Sequence, residues 1–391
     1  MLNQLFDSKA ITSAIMPTDV HRWNLWNQPS EIEDKIGSLV NSIKTKDYSL
    51  SPFIVKTHRG KKTYQASNIE DVLAIRILDR YVRRIYKVKQ ADRSSIIRQT
   101  RIMLEDSGDY TIMRLDIAKC YESINFESIV EKLSRGMILA PNCLKLLGSI
   151  LSHCKSIGVS GLPRGLAISP TLAELYLEVL DKKFSKYPGV IYTSRYVDDI
   201  LLIVDSESCT DIHRDIKIEL SKLGLHPNMH PNKNYVGPTQ STDLTYLGYH
   251  FRVNHVKKTN EVKLTISNEK ISKIKSKIIK CLIDYKHTSN TSILRQRINY
   301  LATLKTIKKD INGELLGGIA YSYAYVTDNY ECLKGLDGFY LHSIKNPTYG
   351  LSTSEIATLS KISFHGYVKN KIKSNFTSKK AVKIREVWKN V

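Results

Sequence analysis

Apolar residues return every three to four positions through residues 69–104, with many arginines between them. This period is typical of amphipathic helices, so the segment is predicted to be mainly helical. Residues 111–117 (TIMRLDI) follow a turn-forming DSGD and have the pattern of a buried strand. Asn125 then stands in the position of an N-cap before another helical pattern, FESIVEKL.

A further helix is predicted after residues 158–165 (GVSGLPRG), a loop that glycine and proline interrupt. Ser169 can cap this helix, and Pro170 suits its first turn. One face carries six apolar side chains at helical spacing, which predicts burial against a sheet: Leu172, Leu175, Tyr176, Val179, Leu180 and Phe184.

Residues 194–206 (SRYVDDILLIVDS) are predicted to form two strands joined at adjacent aspartates. A helical pattern follows at 209–223. Residues 244–253 are predicted to form one strand and residues 261–266 its partner. From residue 267 onward the pattern is helical and basic, so the elements together predict an α+β fold with an α-helical C-terminal domain.

The net charge adds a function class to this picture, because it is +21 for 391 residues and unevenly placed. Residues 1–250 carry a net charge of +5, and residues 251–391 carry +16. A basic surface of this kind attracts polyanions, nucleic acid first and an anionic membrane second. The alternative is a set of lysines that only keep the protein soluble, although solubility seldom needs such an asymmetry.

The cysteines and the hydrophobic segments limit the cellular setting. Six cysteines are scattered without a CxxC pair, so neither a disulfide framework nor a structural zinc site is indicated. No run of 18 apolar residues is present, and the first residues lack the apolar core of a signal peptide. We therefore expect a cytoplasmic protein with no membrane partner.

Three aspartates are the candidate chemical groups. Asp116 ends the predicted strand at 111–117, and Asp198 and Asp199 lie between the two strands of 194–206. If these strands are neighbours in one antiparallel sheet, the three carboxylates converge. Their mutual repulsion then calls for cations, and oxygen ligands suit Mg²⁺. Two such ions about 3.5–4 Å apart can activate a 3′-hydroxyl and stabilise the leaving pyrophosphate. The alternatives are an acidic turn that faces water, for Asp198 and Asp199, and a loop-capping role for Asp116.

Three segments, in this order, resemble motifs A, B and C of reverse transcriptases: LDIAKCYESI at 115–124, GLPRGLAISP at 161–170 and RYVDDILLI at 195–203. Two more resemble motifs D and E: LGLHPNMHPNKN at 223–234 and LTYLGYHF at 244–251. The resemblance covers residues 70–255 approximately. It implies an RNA-directed DNA polymerase with the right-hand fold, in which a palm with an antiparallel sheet joins mostly helical fingers and a helical thumb.

The resemblance also implies a division of the chain and an acidic centre. Residues 1–110 would form an N-terminal segment and fingers, 111–266 the palm with interleaved fingers residues, and 267–391 the basic thumb and C-terminal region. Asp116, Asp198 and Asp199 would be catalytic and bind two Mg²⁺ ions, for which Mn²⁺ can substitute. The backbone carbonyl of Ile117 would be a further metal ligand, and Lys233 would be the general acid for pyrophosphate.

Six residues are expected to bind the incoming nucleotide: Tyr121, Arg93, Arg98, Lys119, Gly165 and Arg164. Tyr121 resembles the steric gate, whose ring fills the space of a ribose 2′-hydroxyl, and Arg93 and Arg98 would grip the triphosphate. Four C-terminal residues are expected to contact nucleic-acid phosphates: Lys273, Lys277, Lys380 and Arg385.

Two positions depart from the family pattern. Arg164 replaces the usual glutamine of motif B, and Cys120 replaces a more usual aromatic in motif A. No ribonuclease H-like carboxylate set follows, and the remaining pattern resembles retron-like and defence-associated bacterial reverse transcriptases. This subgroup implies a dedicated noncoding RNA as template, a DNA product and a role against phage.

Three alternatives stay open at this point. The enzyme could extend DNA without a template or copy one short repeat, which the departure at Arg164 motivates. It could be a nucleic-acid-binding protein with a catalytically idle palm, although three retained carboxylates argue against that. An RNA-templated RNA polymerase is disfavoured by Tyr121. A homo-oligomer or a partner protein is compatible with the sequence.

Overall fold

The computed structural model of the protein describes residues 3–25, 29–58, 60–310 and 313–388. The chain divides into two compact units. The first unit comprises Met1–Asp92 and Tyr110–Gly237, and the second comprises Arg93–Asp109 and Pro238–Val391.

The α-helices of the described residues are, in chain order, α1 (Ser8–Thr12), α2 (Pro17–Arg22), α3 (Pro29–Thr45), α4 (Ile69–Ile85), α5 (Arg93–Glu105), α6 (Cys120–Ser123), α7 (Phe126–Arg135), α8 (Pro141–Ser156), α9 (Ser169–Phe184), α10 (Cys209–Lys222), α11 (Asn268–Thr288), α12 (Thr291–Ala302), α13 (Ile319–Ser322), α14 (Lys334–Lys345), α15 (Thr353–Leu359), α16 (Phe364–Lys369) and α17 (Ser378–Arg385). The strands are β1 (Ile54–His58), β2 (Lys61–Gln65), β3 (Tyr110–Asp116), β4 (Val190–Tyr196), β5 (Asp199–Asp205), β6 (Tyr235–Pro238), β7 (Asp243–Tyr246), β8 (Tyr249–Val256), β9 (Thr259–Ile266), β10 (Lys305–Asp310) and β11 (Gly313–Gly317). Helices and antiparallel strands are thus both abundant, and the predicted α+β class is confirmed.

The central sheet of the first unit has the strand order β4-β5-β3-β6. Strand β5 pairs antiparallel with both β3 and β4, and residues 201–204 in its middle are fully buried. Strands buried on both faces read as continuous apolar runs, which is why the sequence marks β3 and β5 so clearly. In the register of these two strands Asp116 lies opposite Asp199, so their carboxylates share one end of the sheet.

Two helix starts test the capping predictions. Asn125 caps α7 as predicted, since its side chain accepts a hydrogen bond from the Ser128 amide at 3.0 Å. The predicted cap at Ser169 is wrong. Ser169 is the first residue of α9, and its hydroxyl instead donates to the Pro163 carbonyl at 2.6 Å. The serine therefore holds the preceding loop against the helix.

The predicted buried face of α9 is largely correct. Leu172, Leu175, Leu180 and Phe184 are buried. Val179 is 48% exposed, so its predicted burial is wrong. Tyr176 is half-buried, so it agrees with the prediction only in part.

The second unit contains a three-stranded antiparallel sheet in the order β7-β8-β9. The prediction of a single strand over 244–253 is wrong, because the chain turns at Leu247 and Gly248 between β7 and β8. Both turn residues have positive φ, 47° and 83°. Two consecutive residues of positive φ are typical of a type I′ hairpin turn, which favours glycine. The predicted partner strand at 261–266 is confirmed as part of β9.

The C-terminal third is mainly helical, as predicted, with one interruption. The helical pattern was expected to continue through residue 310, but α12 ends at Ala302 and residues 305–310 form β10. Strand β10 pairs antiparallel with β11, so long-range pairing overrides the local helical pattern. Among the residues that the structure describes, no helix is both long and apolar enough to cross a membrane.

Candidate metal and nucleotide site

Three carboxylates converge at the end of β3 and β5. Asp116, Asp198 and Asp199 each offer an oxygen, and these oxygens all lie within 4.8 Å of one another. Asp116 is buried, and the two others are half-buried. The prediction that residues some eighty positions apart meet here is therefore confirmed. Such an oxygen-rich donor set fits a hard divalent cation.

A strained turn presents the middle carboxylate. Val197 and Asp198 connect β4 to β5, and Val197 has a φ of 60°. A β-branched residue in the left-handed region is costly, and such strain tends to occur at functional sites. The backbone amide of Ile117 donates to the Asp198 carbonyl at 3.0 Å, which ties this turn to the end of β3.

Both oxygens of Asp116 have protein donors. The Lys233 ammonium donates to Oδ1 at 2.8 Å, and the Asn228 side chain donates to Oδ2 at 2.8 Å. The amide of Asn228 also donates to the backbone carbonyl of Asp116 at 2.7 Å. The segment that resembles motif D thus lies directly against the acidic cluster.

A buried arginine neutralises Asp199. Arg114 lies two residues before Asp116 on β3, and its Nη2 and Nε donate to Oδ1 of Asp199 at 2.7 and 3.2 Å. Arg114 is only 7% exposed. Loss of one partner of a buried ion pair leaves the other charge buried and unpaired, which strongly destabilises the protein. Arg114 and Asp199 therefore depend on each other.

The electrostatics of the cluster agree with this geometry. Burial, followed by the negative charge of Asp116 and then that of Asp199, raises the pKa of Asp198. Burial is also the largest influence on Lys233 and lowers its pKa, but the hydrogen bond and charge of Asp116 outweigh it, so the pKa is raised overall. Lys233 therefore stays protonated near neutral pH, and added positive charge would stabilise the ionised form of Asp198.

Arg195 connects the β4–β5 hairpin to α9. Its guanidinium donates to both carboxylate oxygens of Asp181, at 2.9 and 2.6 Å, and to Glu174 at 2.7 Å. It also donates to the carbonyl of Val197 at 3.0 Å. Helix α9, which carries both acids, thereby fixes the turn that presents the aspartates.

The predicted gate residue Tyr121 is half-buried beside the cluster. The guanidinium of Arg164 lies over its ring, with Cζ 4.8 Å from the ring centroid. Arg164 also binds both oxygens of Glu122, at 2.6 and 2.9 Å. Burial raises the pKa of Tyr121 to about 12, so its hydroxyl is neutral at physiological pH.

Two glycines allow the motif B loop to approach its neighbours. A Cβ at Gly161 would lie 2.4 Å from the Tyr121 carbonyl oxygen. Gly165 has a φ of 101°, and a Cβ there would lie 2.6 Å from the Tyr64 carbonyl oxygen. Any larger residue would push the loop away from α6 or from β2, so both positions require glycine.

Lys119 and Ile117 lie on the connection that follows β3. Lys119 is exposed and left-handed (φ 45°) at the start of α6. Ile117 is buried and forms an isolated bridge with Pro227. Their predicted roles, a nucleotide contact and a carbonyl ligand, stay predictions.

Arg93 and Arg98 belong to α5 in the second unit. Arg93 donates to the Leu247 carbonyl at 2.7 and 3.0 Å and to the Ser322 carbonyl at 2.7 Å. The rings of Tyr249 and Tyr323 each lie about 5 Å from its guanidinium carbon. These contacts fix the β7–β8 turn. Arg98 is exposed, and the expected triphosphate contact of both arginines stays a prediction.

The predicted nucleic-acid contacts lie on α11 and α17 of the second unit. Lys273 pairs with Glu269 one helical turn away, and Lys277 lies over the ring of Trp388, 5.7 Å from its centroid. Lys380 and Arg385 are exposed. Their phosphate contacts stay predictions.

Sequence reasoning missed Arg114, Asn228, Arg195 and Glu122. A signal existed for Arg114, because residues i and i+2 of a strand share a face and Arg114 precedes Asp116 by two. The other three act across 14 to 112 residues of chain, and only the fold reveals their partners.

The antiparallel sheet gathers three carboxylates, and the Lys233 ammonium contacts the first of them. This arrangement is compatible with nucleotidyl transfer assisted by two metal ions. Residues 67–251 match the family described as reverse transcriptase (RNA-dependent DNA polymerase). Residues 67–251 therefore match a reverse transcriptase domain, and the predicted right-hand fold is confirmed. A comparison with curated proteins found no match.

Among solved structures, the chain is similar to two forms of apo telomerase from Candida Tropicalis. The form truncated from the C-terminal domain is 13% identical with a TM-score of 0.37, and the match covers 57% of this chain and 59% of that one. The other is 12% identical with a TM-score of 0.34, and the match covers 46% and 39%. The chain thus matches less than two thirds of either telomerase chain, and similarity this weak carries no argument about activity.

Proposed function

We propose that this protein is an RNA-directed DNA polymerase that adds dNTPs to a 3′-hydroxyl. The observation that carries the proposal is the convergence of Asp116, Asp198 and Asp199 within 4.8 Å at one end of the palm sheet. A reverse transcriptase domain at residues 67–251 supports the template and product classes. The proposal covers the whole protein, including residues outside that domain.

Asp116, Asp198 and Asp199 would hold two Mg²⁺ ions, with the Ile117 carbonyl as a further ligand, and Mn²⁺ could substitute. The donor set fits, because carboxylate oxygens are the ligands that Mg²⁺ prefers and burial leaves their charge poorly screened. Bound divalent cations would activate the attacking hydroxyl and stabilise the leaving pyrophosphate.

The surrounding residues would orient the reactants. Lys233 is a protonated amine beside Asp116, so it can offer a proton to the pyrophosphate. The ring of Tyr121 would exclude the 2′-hydroxyl of a ribonucleotide. Lys119 and Gly165 would border the nucleotide, and Arg93 and Arg98 would approach its triphosphate.

The partners follow from charge and resemblance. Lys273, Lys277, Lys380 and Arg385 would contact the backbone of an RNA–DNA duplex, because the last third of the chain carries most of the excess positive charge. The retron-like and defence-associated resemblance suggests a bacterial, cytoplasmic enzyme that copies a dedicated noncoding RNA in defence against phage. Fingers, palm and thumb would follow the divisions 1–110, 111–266 and 267–391.

The decisive experiment replaces Asp198 and Asp199 by asparagine together. Incorporation of dNTPs on a primed RNA template should fall at least about 10³-fold, because the carboxylates supply the metal sites on which charge stabilisation depends. RNA binding should change little. Asp205→Asn, at the other end of β5, is the matched control and should keep full activity.

Retained synthesis by the purified double variant would contradict the proposal.

Sequencing the DNA that the wild-type protein makes separates the proposal from template-independent or repeat-templated synthesis. A product complementary to a co-purified RNA supports templated copying, and a product with no RNA counterpart supports untemplated addition. If the wild-type protein binds RNA but incorporates no nucleotide under any condition, the idle-palm alternative is correct.

A further inference from the structure

Arg164 replaces the usual motif B glutamine, and its guanidinium contacts two side chains of the segment that resembles motif A. Its Nε and Nη2 donate to the two carboxylate oxygens of Glu122, at 2.6 and 2.9 Å. The face of the same guanidinium covers the ring of Tyr121 at 4.8 Å. Arg164 therefore connects an acid and an aromatic ring that are adjacent in sequence.

The charges of this pair cancel locally. The hydrogen bond from Arg164 is the largest influence on Glu122 and lowers its pKa, and the same bond raises the pKa of Arg164. Both groups are therefore ionised at neutral pH. An arginine whose fork is filled by a carboxylate has to break that pair before it can bind a phosphate in the same way.

The backbone on both sides of Arg164 is fixed as well. The amide of Leu162 donates to the Tyr121 carbonyl at 2.7 Å, and the Arg164 carbonyl accepts from the Tyr64 amide at 2.6 Å. The close approach at Gly161 leaves no room for the loop to shift toward α6. Backbone hydrogen bonds on both sides of Arg164 thus fix the loop in the position that places the guanidinium over the Tyr121 ring.

The trio lies beside the candidate metal site. The negative charge of Asp198 acts on both Tyr121 and Arg164. Glu122 is more exposed than Arg164, with 45% against 24% of the side chain accessible. The Tyr121 ring thus lies near the acidic cluster and packs against the planar, charged guanidinium of Arg164.

We propose that Arg164, together with Glu122, is a positioning residue that fixes the Tyr121 ring and so determines the preference for deoxyribonucleotides over ribonucleotides. The inference rests on the proposed polymerase function and its sugar gate. A guanidinium supplies both the bidentate pair and the planar stack, whereas lysine supplies neither geometry and glutamine lacks the charge. In this role Arg164 acts through Tyr121 and does not touch the nucleotide.

The test compares kcat/KM for a dNTP and the matching rNTP on one primed RNA template. Arg164→Gln and Arg164→Lys should each lower the dNTP-to-rNTP ratio of kcat/KM about tenfold. Glu122→Gln should lower the ratio less, about threefold, because an amide oxygen still accepts one hydrogen bond. Tyr121→Ala sets the largest change that loss of the gate can cause.

Arg101→Gln is the matched control. It removes an arginine that pairs with Glu105 at 2.8 Å on α5, and the ratio should not change. If Arg164→Gln raises KM equally for both nucleotides and leaves the ratio intact, Arg164 is a nucleotide ligand and the proposal is wrong. An unchanged ratio with unchanged activity contradicts it equally.

Hydrogen exchange in the free protein gives a readout that needs no activity. Arg164→Gln and Glu122→Gln should speed exchange of the Leu162 amide about three- to tenfold, because the loop loses its hold on Tyr121, and Arg101→Gln should not. Unchanged exchange would overturn the inference whatever the nucleotide preference. Faster exchange together with an unchanged ratio in Tyr121→Ala would instead refute the sugar gate of the proposed function.

Discussion

The acidic end of the palm sheet and the basic C-terminal third use charge in different ways. At the sheet end, Asp116 and Arg114 are 4% and 7% exposed, and each has a specific partner atom. On α17, Lys380 and Arg385 are exposed to solvent. Buried charges interact strongly and only with correctly placed partners, whereas exposed charges are screened and act by number. Single substitutions should therefore matter in the first region and accumulate in the second.

Arg114→Met should cause the largest effect that does not remove a carboxylate. The variant leaves the half-buried Asp199 carboxylate without the guanidinium that donates to it. Losing one partner of a buried ion pair lowers the free energy of unfolding by about 3–5 kcal/mol. We expect dNTP incorporation to fall about 100-fold and the midpoint of thermal unfolding to drop. Steady-state kinetics and calorimetry measure the two changes.

Arg114→Lys tests whether charge alone suffices at this position. It keeps the positive charge but cannot donate twice to one carboxylate oxygen, so an intermediate loss is expected. If both variants retain wild-type activity and stability, the buried pair does not organise the site, and the contrast with the exposed lysines fails.

Replacing Lys233 should cause a smaller loss. Lys233→Met removes the proton that the pyrophosphate would receive, and kcat should fall about 30-fold with little change in KM for the dNTP. Lys233→Arg keeps the charge beside Asp116 but holds its proton too tightly, so a similar loss of kcat is expected. Full activity of Lys233→Arg would mean that the residue acts as a charge and not as an acid.

The pH dependence of this contact has a definite sign. The pKa of Lys233 is raised above its ordinary value of 10.5 in the folded protein, so the folded state holds its proton more tightly than the unfolded state does. The part of the stability that comes from the raised Lys233 pKa is therefore fully present below pH 10.5 and is lost as the pH rises through the folded pKa. Wild type and Lys233→Met should thus differ in stability at pH 7 and converge under strongly basic conditions.

The same contrast explains what the sequence could predict. Asp116, Asp198 and Asp199 end or join apolar runs, and a run buried on both faces is recognisable without a fold. The side-chain contacts around the site could not be predicted in the same way. Arg164 and Glu122, for example, lie 42 residues apart and meet only once the loop packs on α6. The β7–β8 turn was missed although Gly248 signals it, and β10 was missed because strand pairing with β11 overrides a helical pattern. Local periodicity thus predicts elements, and register decides contacts.

Removing two exposed charges should produce the smallest effect. Lys380→Gln with Arg385→Gln should weaken RNA binding about fivefold at moderate salt, because each phosphate contact releases counterions and adds less than one unit to the slope of log affinity against log salt. A titration at several salt concentrations measures both quantities. Lys155→Gln with Lys182→Gln removes the same charge from the first unit, where each lysine pairs with a glutamate, and should change the salt slope less. Equal losses for the two pairs would mean that overall charge alone attracts the RNA and that α17 has no particular part in binding it.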